Sequence, residues 1–140
     1  MGIMLSSQAL ADHGGGHGDG EASLEEAMAG PPEVGYYTLE PDFTTNLAGV
    51  GHRGRLHYLR IKVVIMLRDN NDLDEVKKRD PLIRDAIITI INMRSWEDAT
   101  TPEGRQSIRQ ECINKVTEII DSKMAKPVIQ DVLFTNYLYQ

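Results

Sequence analysis

The sequence predicts an α+β domain in which a small antiparallel or mixed sheet packs on two or three helices. Three observations support this fold class. Apolar and polar residues alternate from His57 to Arg68, as they do in a strand. Apolar residues then recur with helical spacing after Pro81 and again after Thr101. A final segment rich in Val, Leu, Phe and Tyr follows the helices, and such a returning strand is typical of α+β architecture.

Residues 1–34 are predicted to precede the folded domain, which we expect to span residues 35–140. Ala9-Leu10-Ala11 has the A-x-A form of a signal-peptidase site, although the positive n-region and most of the apolar h-region are missing. The alternative is an accidental Ala-rich start. The Gly- and acid-rich residues that follow cannot offset the entropy lost on ordering, so we expect a signal-peptide remnant and then a flexible tether.

Two strand regions precede the helices. Between Gly35 and Ala48, aromatic and β-branched residues interrupted by Pro41 predict two short strands or one strand with an irregularity. The alternation that begins at His57 predicts a longer strand with one apolar face toward the core. Its other face carries three basic side chains that form a candidate interaction surface: Arg60, Lys62 and Arg68.

The acidic turn after this strand is predicted to cap a short charged helix. Asp69-Asn70-Asn71-Asp72 precedes a segment in which acids come first and bases last, as the helix dipole favours. A calcium loop is the alternative interpretation of the same turn. It is disfavoured because Leu73 and Asp74 occupy positions where the EF-hand pattern requires an oxygen donor and then Gly.

Pro81 fits the first turn of the next helix. The predicted core-facing stripe of this helix consists of Ile83, Ala86, Ile87, Ile90 and Ile91. Asp85 lies on the opposite, solvated face with Thr89 and Asn92. Ile88 falls outside the stripe, either as tolerated exposure or as an extension of the surface toward a neighbouring subunit. Asp85 and Ile88 therefore join the candidate interaction surface.

A second long helix is predicted to begin near Thr101. Thr100 and Glu103 fit a capping box, whereas Thr101 followed by Pro102 fits a cap with Pro at the first helical position. We expect about 23 helical residues before Lys126-Pro127. The predicted buried arc consists of Ile108, Cys112, Ile113, Val116, Ile119, Ile120 and Met124. The last segment is apolar on both alternation sets and predicts a strand covered on both faces or paired centrally.

Composition and motifs argue against catalysis, cofactors and nucleic-acid binding. A formal charge of −6 and a pI near 5.1 disfavour contact with a nucleic-acid backbone. All four histidines precede residue 58, and the single cysteine, Cys112, lies on an apolar helical stripe. Asp98 and Glu103 stand at a helix entrance, where acids complement unpaired N–H groups. We therefore predict no catalytic, cofactor-binding or metal-ligating residue.

Five stretches of the sequence match a known family in order and spacing: YYTLEPDFTTNLA, HYLRIKVVIMLRD, PLIRDAIITIIN, WEDATTPEGR and VLFTNYLYQ. Together, from about Tyr37 to Gln140, they resemble the periplasmic domain of FliL, the flagellar basal body-associated protein family. The positions that carry the family motif are Pro81, Arg84, Asp85, Asp98, Thr101, Gly104, Phe134 and Gln140.

The resemblance implies a stomatin-type (SPFH-like) fold, a periplasmic location and assembly of identical subunits into a ring. It also implies association with the MotA/MotB stator units at the basal body, whose torque generation the ring would support. Typical members carry a transmembrane helix before this domain, whereas this sequence begins with the Ala-Leu-Ala start and the tether. Membrane association is therefore expected only if an anchor exists upstream.

Two functions of different classes remain open from the residues. In the first, a non-enzymatic assembly protein uses the basic strand face to contact acidic residues of a neighbouring copy, such as Glu111, Glu118 or Asp121. The same charges could instead be ordinary solvated groups. In the second, a monomeric periplasmic module binds a ligand or metal through His13, His17, His52 and His57.

Overall fold

Apolar and polar side chains alternate along the second strand, and this alternation determines which face of the sheet packs against the helices. The computed structural model describes residues 31–47 and 56–140. In chain order the elements are β1 (Gly35–Leu47), β2 (His57–Leu67), α1 (Leu73–Lys78), α2 (Asp80–Asn92), α3 (Trp96–Thr100), α4 (Pro102–Asp121) and β3 (Ile129–Tyr139). The chain divides into two units, Met1–Pro31 and Pro32–Gln140, and all these elements belong to the second. The predicted signal-peptide remnant and tether lie outside the described residues, except for residues 31–34.

The three strands form one antiparallel sheet in the order β1-β2-β3, so β2 is central. Tyr36 of β1 lies opposite Met66, and Leu138 of β3 lies opposite Arg60. The ladder extends beyond β3, because Gln140 exchanges two backbone hydrogen bonds of 3.0 Å with the opposite strand. The predicted α+β fold class is confirmed, and the sheet is antiparallel rather than mixed.

β1 is a single strand with an irregularity, which is one of the two predicted alternatives. Leu39 pairs with Val63 and Phe43 pairs with Ile61, so β1 advances four residues where β2 advances two. The Glu40–Pro41 peptide bond within this interval is cis. Proline has no N–H to donate, and an edge strand tolerates that loss. The irregularity leaves both Leu39 and Phe43 buried.

The inner face of the sheet, which packs against the helices, supplies much of the core. The whole predicted apolar set of β2 is buried there: His57, Leu59, Ile61, Val63, Ile65 and Leu67. The helices bury Ile83, Ile87, Ile90 and Ile91 of α2 and Ile108, Cys112, Val116 and Ile120 of α4. Both predicted stripes are thus confirmed in outline. Ala86 is only partly buried, because it lies at the rim of the α2 stripe.

Capping side chains determine where the helical segments begin. Asp69 accepts the N–H of Asn71 at 2.9 Å and caps the short 3₁₀ turn that leads into α1. The predicted side-chain cap of the helix itself does not form, because Asp72, the residue before α1, makes no capping hydrogen bond. Thr101 accepts the N–H of Gly104 at 3.1 Å and caps α4. The alternative box at Thr100 does not form, since its hydroxyl donates to a carbonyl one turn earlier in α3.

α4 ends at Asp121, earlier than the sequence predicts. The Asp121 carboxylate accepts the backbone N–H groups of Val128 and Ile129 at 3.0 and 3.3 Å. The helix stops before Lys126-Pro127, and Asp121 joins its last turn to the start of β3.

The prediction that β3 is covered on both faces or paired centrally is wrong, because β3 is an edge strand. Its inner-face residues, such as Val132, pack in the core. The second apolar set points to the other side of the sheet, where Leu138 is 54% exposed. The second set of apolar residues in β3 therefore lies on an uncovered face of the sheet and does not pack against a second layer.

Candidate functional site

The outer sheet face is the side of the sheet that the helices leave uncovered. Alternation in the strands places six of its side chains on this face: Tyr36, Tyr58, Arg60, Lys62, Met66 and Leu138. Three of them are large apolar residues with substantial exposure, namely Tyr36 at 57%, Leu138 at 54% and Tyr58 at 43%. Tyr58 and Leu138 lie next to Arg60 at one end of the sheet, whereas Tyr36 lies opposite Met66 at the other. Exposed apolar surface next to a basic group, as at Tyr58 and Leu138, is typical of a protein interaction site.

The basic residues predicted for this face do not form one cluster. Arg60 donates from Nε to the Asp42 carboxylate at 3.0 Å. Lys62 makes no ion pair with any residue that the structure describes. Arg68 follows the end of β2, eight residues from Arg60, which corresponds to about 26 Å along a strand. Arg60 and Lys62 therefore share a surface, and Arg68 lies beyond it.

The acidic residues proposed as partners for these bases already have contacts in their own chain. Glu111 contacts the Arg94 guanidinium, and Glu118 contacts the Lys115 ammonium at 3.4 Å. In each pair at least one of the two side chains is about half exposed or more, so neither ion pair contributes much to the stability of the fold. One carboxylate oxygen of Asp121, Oδ1, accepts the backbone N–H groups of Val128 and Ile129. Asp121 is therefore the least available of the three.

Asp85 and Ile88 lie in a small pocket of about 330 Å³ between β1 and α2. Asp42 also lines this pocket, so the contact from Arg60 joins it to the outer sheet face. Ile88 is partly buried and packs against the core. The structure thus links three of the predicted interaction residues through Asp42, namely Arg60, Asp85 and Ile88, and Lys62 shares the outer sheet face with Arg60.

Arg84 forms one wall of the same pocket. Its guanidinium lies 4.4 Å from the centre of the Phe43 ring, in a cation–π contact that holds the side chain across β1. Its Nη1 atom is buried and has no hydrogen-bond partner among the described residues. Pro81 occupies the first turn of the same helix. These two family-motif residues therefore position α2 against β1.

A groove of about 600 Å³ lies between α2 and α4, on the side of the helices away from the core. Its walls are Leu82, Asp85, Ala86, Thr89, Ile90, Met93, Glu111, Asn114, Lys115, Glu118 and Ile119. The sequence reasoning missed this site, because Leu82 lies outside the core stripe and Met93 follows the end of the helix. The spacing of Leu82, Ala86, Ile90 and Met93 was the available signal for a second stripe.

An aromatic cluster joins the end of the sheet to α3. His57 stacks on Trp96 with ring centres 4.2 Å apart, and Tyr139 meets the Trp96 ring edge-on at 5.3 Å. Tyr137 donates its hydroxyl to the Ala99 carbonyl at 2.7 Å, and burial raises the pKa of Tyr137. Phe134 packs beside Tyr137, at 6.0 Å between ring centres. The cluster is structural packing that the sequence analysis did not foresee.

The motif WEDATTPEGR folds as a tight junction between α3 and α4. Ser95 and Asp98 form a reciprocal capping box at the start of α3. Gly104, in the first turn of α4, approaches the Asp98 backbone so closely that an added Cβ would lie 1.8 Å from its carbonyl oxygen. Only glycine fits such an approach. Asp98, Thr101 and Gly104 thus have a local structural reason for their place in the motif.

The titratable groups with shifted pKa values do not converge on one site. Burial raises the pKa of the Cys112 thiol to about 12, so the thiol stays protonated in the core. Burial and a 2.6 Å hydrogen bond to Asp80 raise the pKa of Tyr37 to about 12. Residues 31–47 and 56–140 contain no group of three or more His, Cys, Asp or Glu that could hold a metal ion.

Of the four histidines proposed as metal ligands, only His57 is among the described residues. His13, His17 and His52 lie outside the described residues, and His57 is buried in the aromatic cluster. Searched over the described residues, the helices include none with the length and hydropathy needed to span a bilayer.

Comparison with known proteins gives a consistent result. Residues 36–140 match the family described as flagellar basal body-associated protein FliL. The chain is 35% identical over 111 residues to the flagellar protein FliL of Aquifex aeolicus, which is 79% of this chain and 65% of that protein. It is 25% identical over 117 residues to the flagellar FliL protein of Caulobacter vibrioides, which is 84% of this chain and 56% of that protein. The chain thus spans less than two thirds of the length of these relatives.

Proposed function

Because this chain belongs to the flagellar basal body-associated protein FliL family, we propose that it is a non-enzymatic accessory protein of the flagellar motor. In this proposal the domain lies in the periplasm, assembles with copies of itself into an SPFH-like ring and supports the MotA/MotB stator. Family membership supports the association with the basal body. Ring assembly and stator contact are the further steps that need experiments.

The outer sheet face is the observation that best supports self-assembly. A sheet packed on one side only leaves Tyr36, Tyr58 and Leu138 in water, and covering them with a second copy would bury their apolar surface. Lys62 stands among them without an ionic partner in the described part of the chain. A net charge of −6 makes acidic partners abundant on a neighbouring copy.

The proposed contact surface extends from the outer sheet face around the edge of β1. Asp42 links Arg60 to the pocket that contains Asp85 and Ile88, so these residues can meet one neighbour together. Arg68 lies too far along the sheet to take part in the same contact. Tyr36 and Met66 pair at the same end of the sheet as Arg68. The surface that we propose for assembly therefore combines Tyr58, Arg60, Lys62 and Leu138 of the outer sheet face with Asp85 and Ile88.

Light scattering over a range of protein concentrations tests this proposal. We expect the average mass of the wild-type chain to rise with concentration. The double variant Arg60→Glu with Lys62→Glu should remain at the monomer mass, because two repulsive charges then stand in the contact. Lys77→Glu, a reversal on the exposed surface of α1, is the matched control and should behave as wild type.

An unchanged mass profile in the double variant would remove the outer sheet face from the proposed assembly. A wild-type chain that stays monomeric at every concentration would count against self-assembly itself. The motor role has a separate test in the source bacterium. Deletion of the gene should reduce swimming in viscous medium, and reintroduction of the wild-type gene should restore it.

A further inference from the structure

The groove between α2 and α4 carries an inference that goes beyond self-assembly through the sheet. Within the helical layer that the structure describes, the two most exposed large apolar residues both line it, Met93 at 81% and Leu82 at 63%. Partly buried Ala86 and Ile119 and buried Ile90 complete its apolar surface. Exposed apolar side chains concentrated at one concave site indicate a binding surface more strongly than isolated ones do.

The spacing of these residues fits a helical ligand. Leu82, Ala86, Ile90 and Met93 recur along α2 every three or four residues, over about 17 Å of helix. A groove between two packed helices accepts the side-chain ridge of a third, which presents its own apolar residues at the same spacing. An added strand would find no free edge here, because helices satisfy their own backbone hydrogen bonds.

The charges around the groove indicate which helix it would accept. Its walls carry three acids, Asp85, Glu111 and Glu118, against one base, Lys115, and Glu111 also contacts the guanidinium of Arg94. Asp85 has no ion pair in the described residues, and Glu118 is held by Lys115 only at 3.4 Å with its side chain 70% exposed. A ligand with basic residues beside its apolar stripe would meet this negative rim with opposite charge.

We propose that the α2–α4 groove binds an amphipathic helix of a partner protein, with apolar residues inserted between the helices and Lys or Arg contacting the acidic rim. The first 34 residues of this chain make a poor ligand for such a rim, since they contain six acids and no Lys or Arg. The proposal names a partner class and a surface different from the outer sheet face.

A designed peptide provides the probe. It is fluorescein-labelled, about 18 residues long so that it is helical on its own, and carries Leu at i, i+4, i+7 and i+11 with Lys on both flanks. Fluorescence anisotropy with the full chain should show saturable binding. Leu82→Glu and Met93→Glu should each weaken binding at least about tenfold, because each places a charge in the apolar surface.

Two matched controls distinguish binding in the groove from nonspecific hydrophobic binding of the peptide. Leu56→Glu changes an exposed apolar residue that belongs neither to the groove nor to the surface proposed for assembly, and it should leave peptide affinity unchanged. A second peptide with Glu in place of every Lys should bind about tenfold more weakly to wild type, because it meets like charge at the rim. Asp85 is left unchanged in these variants, since it also lines the pocket proposed for assembly.

The outcomes distinguish this proposal from self-assembly through the sheet. Absence of saturable binding to wild type, equal binding to the Leu82→Glu and Met93→Glu variants, or equal affinity for the two peptides would each overturn it. Light scattering on the same variants identifies the other occupant. Groove variants that reduce the mass of the oligomer without any peptide binding would assign the groove to a second copy and overturn the helix proposal.

Discussion

The two faces of β2 belong to the same eleven residues but differ in burial, charge and role. On the inner face, Leu59, Ile61 and Val63 have no exposed surface. On the outer face, Tyr58 is 43% exposed and Arg60 contacts Asp42 at the surface. Because adjacent side chains point to opposite sides of a strand, one segment carries stability and surface contact on alternate residues. The two properties can therefore be changed separately.

Neighbouring substitutions on β2 provide the strongest test of this difference. Ile61→Ala should lower the free energy of unfolding by about 2–5 kcal/mol, because it leaves a cavity in a fully buried layer. Lys62→Ala, one residue later on the outer face, should change it by less than about 0.5 kcal/mol. Urea denaturation measures both. Similar losses for the two variants would show that the outer face is also covered in solution.

The junction that places α4 over the inner face gives the next largest expected effect. Gly104→Ala should destabilise by about 1–3 kcal/mol, because the new Cβ would collide with the Asp98 carbonyl. Without that collision the substitution would be stabilising, since Ala favours helix more than Gly does. The sign of the shift in thermal midpoint is therefore decisive. Ser107→Ala, at an exposed position of α4, serves as the control and should leave the midpoint nearly unchanged.

Adjacent tyrosines of β1 give the smallest and most specific effect. Tyr37→Phe removes the hydrogen bond to Asp80 across the inner side and should cost about 1 kcal/mol at neutral pH. Tyr36→Phe, on the exposed outer side, should cost almost nothing. The pKa of Tyr37 is raised from 10.0 to about 12, so the folded state holds this proton more tightly than the unfolded state does.

The sign of the pH effect follows from that shift. The contribution of Tyr37 is complete below pH 10 and is lost as the pH rises from 10 to 12. Over that interval the unfolding free energy of Tyr37→Phe should fall less steeply than that of wild type or Tyr36→Phe. Denaturant titrations at several alkaline pH values measure the slopes. Equal slopes in all three proteins would show that folding does not raise the pKa of Tyr37.

The fold could be predicted from the sequence wherever one periodicity dominated. The β2 alternation and the α2 stripe each reflect burial on one side of a single element, and the cap at Thr101 depends on residues next to it. The position of β3 required pairing between distant residues, which its apolar composition could not specify. Composition reports that a residue is suited to contact, whereas strand order determines what it contacts.

The interaction surfaces were less predictable for the same reason. Period two correctly placed Arg60 and Lys62 on one face, but the contact with Asp42 depends on the β1 irregularity and on strand register. The groove needed α2 and α4 to be packed side by side before Leu82 and Met93 could be recognised as its walls. Local pattern indicates which residues are available for contact, and tertiary packing determines which of them form a site.

The buried Cys112 gives this chain a built-in reporter of local opening. It is the single thiol of the sequence, and its position in the core, with a pKa of about 12, protects it from reagents in neutral buffer. A thiol-reactive dye can reach it only during transient separation of α4 from its neighbours. The ratio of its labelling rate to that of an unfolded peptide therefore measures the free energy of that opening in the unmodified protein.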